Sequence, residues 1–226
     1  KFIFGCPYAF EEMFNGEADF FVTTNKRVEP QRGFWLWETN FIANVMSAVL
    51  DPAECKGAGM RLTCLQMASS TLGSHIAEWP VGRYHKAHHH QGGAILLILR
   101  SEGYTLMWPK ESGLRPYREG RGEDVVRVNW NVGSIFSPPT GWLHQHFNTG
   151  PEPALQLAFR YNSDTGKYLC GISKALNKAG VSVGMRQGGT IIEYEDEDPQ
   201  IRIDYEAEIK AMGVNSQMPR FSYRED

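Results

Sequence analysis

The sequence predicts one all-β domain, a sandwich or barrel, with a short helix near its C-terminal end. Short segments rich in β-branched and aromatic residues recur at roughly ten-residue spacing between residues 34 and 161. No strand and helix alternation of the kind that predicts a parallel sheet accompanies them. A chain of 226 residues, 42% of them hydrophobic, is also long enough to bury one sizeable core.

The elements follow from local composition, in chain order. Residues 1–33 mix aromatics with Gly, Asn and Pro without a period, and we expect an irregular arm there. Turn residues then separate a series of apolar segments. These predict strands within residues 34–46, 61–69, 72–79, 94–101, 104–108, 125–130, 134–139, 144–147 and 154–161. Residues 44–54 could instead hold a helical turn.

Two later segments are polar, and one is helical. Residues 109–124 form a loop too long for a tight hairpin, which we expect to overhang a pocket. The acidic residues 193–199 are interpreted as a solvated surface. A helix is predicted within residues 200–213 and ends at Gly213. Its apolar residues recur at helical spacing, at Ile201, Tyr205, Ile209 and Met212. The predicted organisation is an N-terminal arm with strands (1–59), a barrel (60–161) and a C-terminal extension (162–226).

Composition favours a small-molecule partner. The net charge of -3 comes without clustered Lys and Arg, which argues against nucleic acid and anionic membranes. The longest apolar run, residues 94–99, is far too short to span a bilayer. The four cysteines are scattered without a CxxC pair, which fits a reducing, cytoplasmic setting. They are Cys6, Cys55, Cys64 and Cys170.

The histidines carry the strongest chemical signal. Six of the seven fall in two short clusters, which are His85, His88, His89 and His90, and then His144 and His146. Residues two apart on a strand share a face, so we expect His88 and His90 to point inward and His89 away. His144 then comes from a neighbouring strand. Three imidazoles can bind a divalent transition metal and leave open positions on it.

These residues resemble the two sequence motifs of the cupin superfamily. The first motif is represented by Gly82, His88, His90 and Gly103. The second is matched at every fixed position, by Gly133, Pro139, Gly141, His144 and Asn148. The resemblance implies a double-stranded β-helix, or jelly-roll barrel, with N- and C-terminal extensions. It also implies metal ligation by His88, His90 and His144.

The first motif departs from the family pattern where a ligand Glu is usual. This chain has Gly93 and Ala94 there, so the site is expected to use three histidines. Three-histidine cupins include ring-cleaving gentisate and salicylate dioxygenases, diketone-cleaving dioxygenases and thiol dioxygenases, and the local pattern is most similar to the gentisate group. The resemblance implies Fe(II), with Mn(II), Ni(II) or Zn(II) as alternatives. It implies a homodimer as well.

The leading functional hypothesis is a dioxygenase that uses dioxygen to cleave a C–C bond in a small aromatic or dicarbonyl-like acid. A non-redox cupin (decarboxylase, lyase, isomerase or hydrolase) and a non-catalytic small-molecule-binding cupin remain alternatives. Catalytic roles are assigned to His146, as acid, base or hydrogen-bond donor, and to Gln156 and Arg160, which share a strand face. Arg160 could anchor a substrate carboxylate or simply pair with an acid at the barrel rim. We expect His85 and His89 to lie in solvent or beside the ligands.

Overall fold

The computed structural model describes residues 26–31, 34–39, 41–67, 72–90, 93–161 and 183–225. Within these ranges the chain forms eleven strands and one α-helix. The strands are β1 (Lys26–Gln31), β2 (Phe34–Thr39), β3 (Asp51–Pro52), β4 (Arg61–Met67), β5 (Leu72–Trp79), β6 (Ala94–Arg100), β7 (Gly103–Trp108), β8 (Val126–Trp130), β9 (Ile135–Phe136), β10 (Leu143–Asn148) and β11 (Ala154–Tyr161). The helix is α1 (Pro199–Ala211). None of the helices in these ranges is long and apolar enough to cross a lipid bilayer.

The all-β prediction is confirmed, and β5 and β11 have the predicted bounds. Two expectations in the N-terminal part were wrong, whereas the alternative of a helical turn within residues 44–54 is confirmed. Residues 26–31 form a strand paired with β2, although no strand period marks them. The strand expected over residues 34–46 ends at Thr39, and Val45–Ser47 forms a one-turn 3₁₀ helix that begins at Asn44, whose side chain accepts from the Met46 N–H. The expectations for residues 1–25 and 162–182 lie outside the described residues.

The strands form two sheets that enclose a common interior. The larger sheet has the order β1-β2-β4-β5-β11-β6-β9, with β3 beside β4, and the smaller has the order β10-β7-β8. All the pairings are antiparallel except the one between β2 and β4. Trp130 of the smaller sheet packs against Trp79 of the larger, with ring centroids 5.9 Å apart. The two sheets therefore face each other across one core, as in a jelly-roll barrel.

Strand β10 is buried along its whole length because both of its faces are covered. One face looks into the barrel, and the other packs against α1 and the residues before it. This outer cluster includes Phe147, Tyr205 and Ile209, each with no exposed surface. At about 25 cal/mol per Å² of buried apolar area, three such side chains stabilise the docked helix by several kcal/mol. The C-terminal helix is thus part of the fold that holds β10 in place.

The helix itself has well-defined ends. Asp198 caps its N-terminus by accepting from the Gln200 N–H at 3.0 Å, and Pro199 occupies the first turn, where a missing N–H costs nothing. Gly213 follows the helix with φ +77°, as expected for a stop. Ile201, Tyr205 and Ile209 form the predicted buried face. Met212, assigned to the same face, is half exposed because it lies at the C-terminal cap.

The acidic residues 193–199 are not a solvated surface, which corrects the expectation from composition. Asp196, Glu197 and Asp198 are each at most 2% exposed. Asp196 pairs with Arg186 at 2.9 Å and with Arg224 at 3.0 Å. Glu197 and Asp198 accept hydrogen bonds from neighbouring elements instead. Buried carboxylates need hydrogen-bond donors or cations as partners. The C-terminal segment supplies Arg186 and Arg224 for Asp196.

The loop of residues 109–124 also differs from its expected position. Its buried Arg115 donates to the carbonyl oxygens of Asp196, Glu195 and Arg224, at 3.2, 3.3 and 2.6 Å. The loop therefore fastens the C-terminal segment to the barrel. No residue of the loop lines the histidine cavity described below.

Candidate metal centre

The structure brings the three predicted ligands together, but from a different backbone arrangement than expected. His144 lies on β10, as predicted. His88 and His90 do not lie on a regular strand but on the irregular segment between β5 and β6. Two backbone hydrogen bonds replace the missing ladder, since the His88 N–H donates to the His144 carbonyl at 3.0 Å and the His144 N–H donates back at 2.9 Å. This single bridge places the two side chains next to each other.

One ligand atom from each of His88, His90 and His144 lies within 4.8 Å of the other two. The ring of His144 is 4.4 Å from that of His88 and 4.8 Å from that of His90, measured between centroids. No carboxylate or cysteine joins this group among the described residues. Metal–nitrogen distances are about 2.1 Å, so three rings at this spacing can close on one divalent ion with small side-chain rotations. The donor set fits a three-histidine site.

Two of the rings are held in the tautomer that metal binding requires. Nδ1 of His88 donates to the carbonyl of Lys86, and Nδ1 of His144 donates to the carbonyl of Trp142, both at 3.1 Å. A carbonyl can only accept, so the ring proton resides on Nδ1 and the lone pair on Nε2 is free. In each case the acceptor is the residue two positions earlier. Backbone hydrogen bonds of this kind orient ligand imidazoles and raise their basicity.

Burial keeps these imidazoles uncharged. Desolvation lowers the pKa of His88 well below its ordinary value of 6.5, and the nearby Lys56 ammonium lowers it further. Desolvation likewise lowers the pKa of His144 to about 3. Metal ligation requires the neutral ring, so no proton has to leave these ligands at neutral pH.

The structure explains why two positions of the sequence motifs are glycine. Gly141 adopts φ +81° in the turn before β10, and its N–H donates to the His90 carbonyl at 3.3 Å. A side chain there would be strained, so glycine favours the turn that leads into the ligand strand. At Gly103, a Cβ atom would lie 1.9 Å from the Phe147 carbonyl oxygen, which would force β7 and β10 apart.

His146 lies beside the cluster in a different hydrogen-bonding environment. Its Nδ1 is 2.8 Å from the hydroxyl oxygen of Thr105, which already accepts from the Trp130 indole at 3.0 Å. When the Thr105 O–H is donated to Nδ1, the ring proton of His146 lies on Nε2. This is the opposite tautomer from His88 and His144. It suits a hydrogen-bond donor rather than a metal ligand.

A small enclosed cavity of about 30 Å³ adjoins the three histidines. It is lined by Lys56, Leu62, His75, His85, His88, His90, Ala94, Leu96, His144, His146, Gln156 and Arg160. The structure thus brings the predicted His146, Gln156 and Arg160 to the ligand cluster, and Gln156 and Arg160 are 3% and 7% exposed. Both project from the inner face of β11, as the period-two pattern indicated.

The sequence interpretation assigned no role to Lys56, which lines this cavity. Lys56 is 6% exposed and belongs to a one-turn 3₁₀ helix, Glu54–Lys56, with no motif around it. His85 was expected in solvent or beside the ligands, and the second alternative is confirmed, because His85 is 5% exposed and lines the cavity. His89 is buried as well, because its N–H pairs with the Thr190 carbonyl and draws it under the C-terminal segment. The cluster of four histidines was the available signal for His85. Nothing local pointed to Lys56.

Comparison with known proteins gives structural matches only. No family model matches the sequence, and no curated protein is similar to it. A structure of oxalate oxidase with glycolate is 15% identical over 60% of this chain and 65% of that chain, with a TM-score of 0.43. A mutant of Bacillus subtilis oxalate decarboxylase is 14% identical over 53% of this chain and 29% of that chain (TM-score 0.42), and vicilin from Corylus avellana (hazelnut) is 13% identical over 53% and 33% (TM-score 0.40).

The matched part covers 57% of a second oxalate oxidase chain and 29% of an oxalate decarboxylase chain, so this chain spans less than two thirds of their length. Function therefore has to be argued from the site of this chain. Two facing sheets with three histidines clustered at the interior define the class: the protein has a jelly-roll-type fold with a candidate three-histidine metal centre.

Proposed function

We propose that this protein is an Fe(II)-dependent dioxygenase that cleaves a C–C bond in a small acid. The observation that carries the proposal is the group of three imidazoles, joined by no carboxylate among the described residues, at a cavity that also contains Arg160 and Gln156. A carboxylate-free donor set leaves more positive charge on the ion and favours anionic oxygen donors from a substrate. A bound Fe(II) supplies open coordination positions and redox chemistry for the reaction with dioxygen.

The side chains of the chain divide the remaining work. His88, His90 and His144 hold the ion, while the Arg160 guanidinium pairs with the carboxylate of the acid and fixes its orientation. His146, with the Thr105 hydroxyl donated to its Nδ1, has its proton on Nε2 and can donate a hydrogen bond or a proton to a substrate oxygen. Both atoms of the dioxygen molecule are incorporated into the two cleavage products, so the reaction needs no external reductant.

The enclosure of the site supports this chemistry. Leu62, Ala94 and Leu96 provide apolar walls, and Trp79 packs on His146 with ring centroids 6.1 Å apart. Excluding water strengthens the interaction between the cavity cations and an anionic substrate, because the local dielectric is low.

The test is oxygen consumption by protein loaded anaerobically with Fe(II) and then mixed with aerobic buffer and a panel of 2-oxo acids, 1,3-dicarbonyl acids and hydroxylated aromatic acids. We expect substrate-dependent oxygen uptake with ¹⁸O from ¹⁸O₂ in both products, and none with His144→Ala. Turnover of an acid without oxygen uptake would overturn the dioxygenase proposal in favour of a non-redox cupin. Tight binding of acids without turnover would favour a binding protein.

A further inference from the structure

His85 is a buried imidazole whose two ring nitrogens have no hydrogen-bond partner within the described part of the chain. The side chain is 5% exposed and lines the cavity beside the three candidate ligands. A neutral imidazole always carries one N–H, and a donor that is buried without an acceptor destabilises the folded protein. Buried polar groups therefore find a partner in the protein, in water or in a ligand. The ring of His85 has a hydrogen bond to offer to an occupant of the cavity.

The position of this ring is fixed by its backbone and by its neighbours. The His85 N–H donates to the His146 carbonyl at 2.9 Å, and the His85 carbonyl accepts from the Gln145 side-chain amide at 2.9 Å. The rings of Trp79 and His146 pack at right angles to the His85 ring, each with a centroid distance of 5.2 Å. The centroid of the His88 ring is 5.7 Å away. These contacts hold a hydrogen-bond donor next to a candidate metal ligand before any occupant binds.

The cavity also contains an acceptor and limits the size of the occupant. The side-chain oxygen of Gln156, which lines the same cavity, is buried and has no partner among the described residues. A volume of about 30 Å³ holds about two water-sized groups, since one water needs about 10–15 Å³. A water molecule there can accept from His85 and donate to Gln156. A ligand of two or three non-hydrogen atoms fits the same space.

We propose that His85 donates a hydrogen bond to a small ligand of the metal ion, one of two or three non-hydrogen atoms that occupies this cavity. A ligand that carries negative charge benefits most, because hydrogen bonds to charged acceptors are about twice as strong as those between neutral groups. The inference requires the candidate metal centre. Its application to the reaction rests on the proposed function, in which the small ligand is dioxygen.

The test is azide binding to the full chain loaded with Co(II), an ion that imidazoles bind and whose visible absorption reports its ligands. Azide is a compact anion, and its binding needs no dioxygen. His85→Phe and His85→Leu remove the donor, whereas His85→Gln keeps a side-chain N–H. His89→Phe changes a buried histidine of the same segment that does not line the cavity, and it is the matched control. Cobalt content, melting temperature and the absorption of the azide-free form are measured for every variant.

We expect azide to change the visible absorption of the wild-type cobalt form. The donor-free variants should bind azide more weakly by about tenfold or more, because they lose a hydrogen bond to a charged ligand. The infrared stretching band of the bound azide should shift in these variants, while the cobalt content and the azide-free spectrum stay unchanged. His85→Gln should regain part of the affinity, and His89→Phe should match the wild type.

Equal azide affinity in the wild type and in either donor-free variant overturns the inference, as does a failure of azide to bind the wild-type cobalt form. Loss of cobalt from the donor-free variants also overturns it, because His85 would then act on the metal ligands and not on the bound anion. Since azide binding involves no dioxygen, the absence of oxygen uptake by the iron form contradicts the proposed function alone.

Discussion

The buried carboxyl of Glu197 predicts a pH dependence of stability that a single substitution can isolate. Glu197 is 2% exposed and accepts from the Tyr84 hydroxyl at 2.5 Å and from the Gln145 amide at 3.1 Å. Desolvation raises its pKa from 4.5 to about 8, although both hydrogen bonds act in the opposite direction. The unfolded chain loses this proton near pH 4.5, whereas the folded protein keeps it until about pH 8. The unfolded state therefore binds fewer protons in this window, and Glu197 makes the protein less stable as the pH rises.

The size of the effect follows from the gap between the two values. At 1.36 kcal/mol for each pH unit, the shift from 4.5 to about 8 corresponds to roughly 5 kcal/mol, of which about 3.5 kcal/mol falls between pH 5 and pH 8. Buried histidines act in the opposite direction. The lowered pKa of His75 and of His144, each about 3, makes stability decrease as the pH falls below 6.5. The pH profile of the wild-type protein alone therefore mixes both contributions.

The Glu197→Gln variant separates the contribution of Glu197 from that of the histidines. The amide does not ionise, and the histidines are the same in the variant and in the wild-type protein. We expect the difference in unfolding free energy, variant minus wild type, to rise by about 1.2 kcal/mol for each pH unit on average between pH 5 and pH 8. Urea denaturation at several pH values, with a chelator to remove metal linkage, measures it. Glu123→Gln removes an exposed carboxylate and serves as the control. A difference for Glu197→Gln that stays constant across this range would refute the argument from burial.

Three further predictions concern the site and the core. His144→Ala should remove most of the bound divalent ion, measured by mass spectrometry of protein purified without chelators, while His89→Ala retains it; equal metal content in both would exclude the assigned ligand set. Asn148→Ala removes hydrogen bonds to Ser101 Oγ, the Gly150 N–H and two carbonyl oxygens, so the unfolding free energy should fall by about 2–4 kcal/mol, and a loss below about 0.5 kcal/mol would contradict this role. Ile209→Ala, in the contact between α1 and β10, should cost about 2–5 kcal/mol, against less than about 0.5 kcal/mol for the exposed Ile203→Ala.

The sequence was most informative where a repeating pattern of side chains is compatible with only one local structure. The alternating pattern of β11 correctly placed Gln156 and Arg160 on one face, because side chains on a strand alternate whatever the tertiary context. The same rule was misapplied to His88 and His90. Their segment is extended near His88 but has no continuous sheet neighbour, and the convergence of the two rings comes from one bridge to His144 and from the turn at Gly141. Spacing alone does not distinguish these cases.

Other features depend on contacts between distant parts of the chain and left no local signal. Lys56 reaches the cavity from a short 3₁₀ turn, and its burial reflects the cavity rather than its sequence neighbours. The acidic residues 193–199 were interpreted from composition, which normally indicates exposure. Their burial depends on partners such as Arg186, Arg224 and Tyr84, which composition does not reveal.

The division of the chain into a barrel and a C-terminal extension does not coincide with a functional division. The segment that carries His88 lies between β10 on one side and residues 190–192 on the other, where the Ile192 N–H donates to the Ala87 carbonyl at 2.8 Å and His89 donates to Thr190 at 3.0 Å. Behind β10, the Tyr205 hydroxyl of α1 donates to the Asn148 carbonyl at 2.9 Å. The C-terminal residues thus supply the backbone partners that an irregular ligand segment lacks. A metal site built on such a segment requires these partners for its rings to be held in place before an ion binds, because rotamers fixed by packing lose little entropy on ligation.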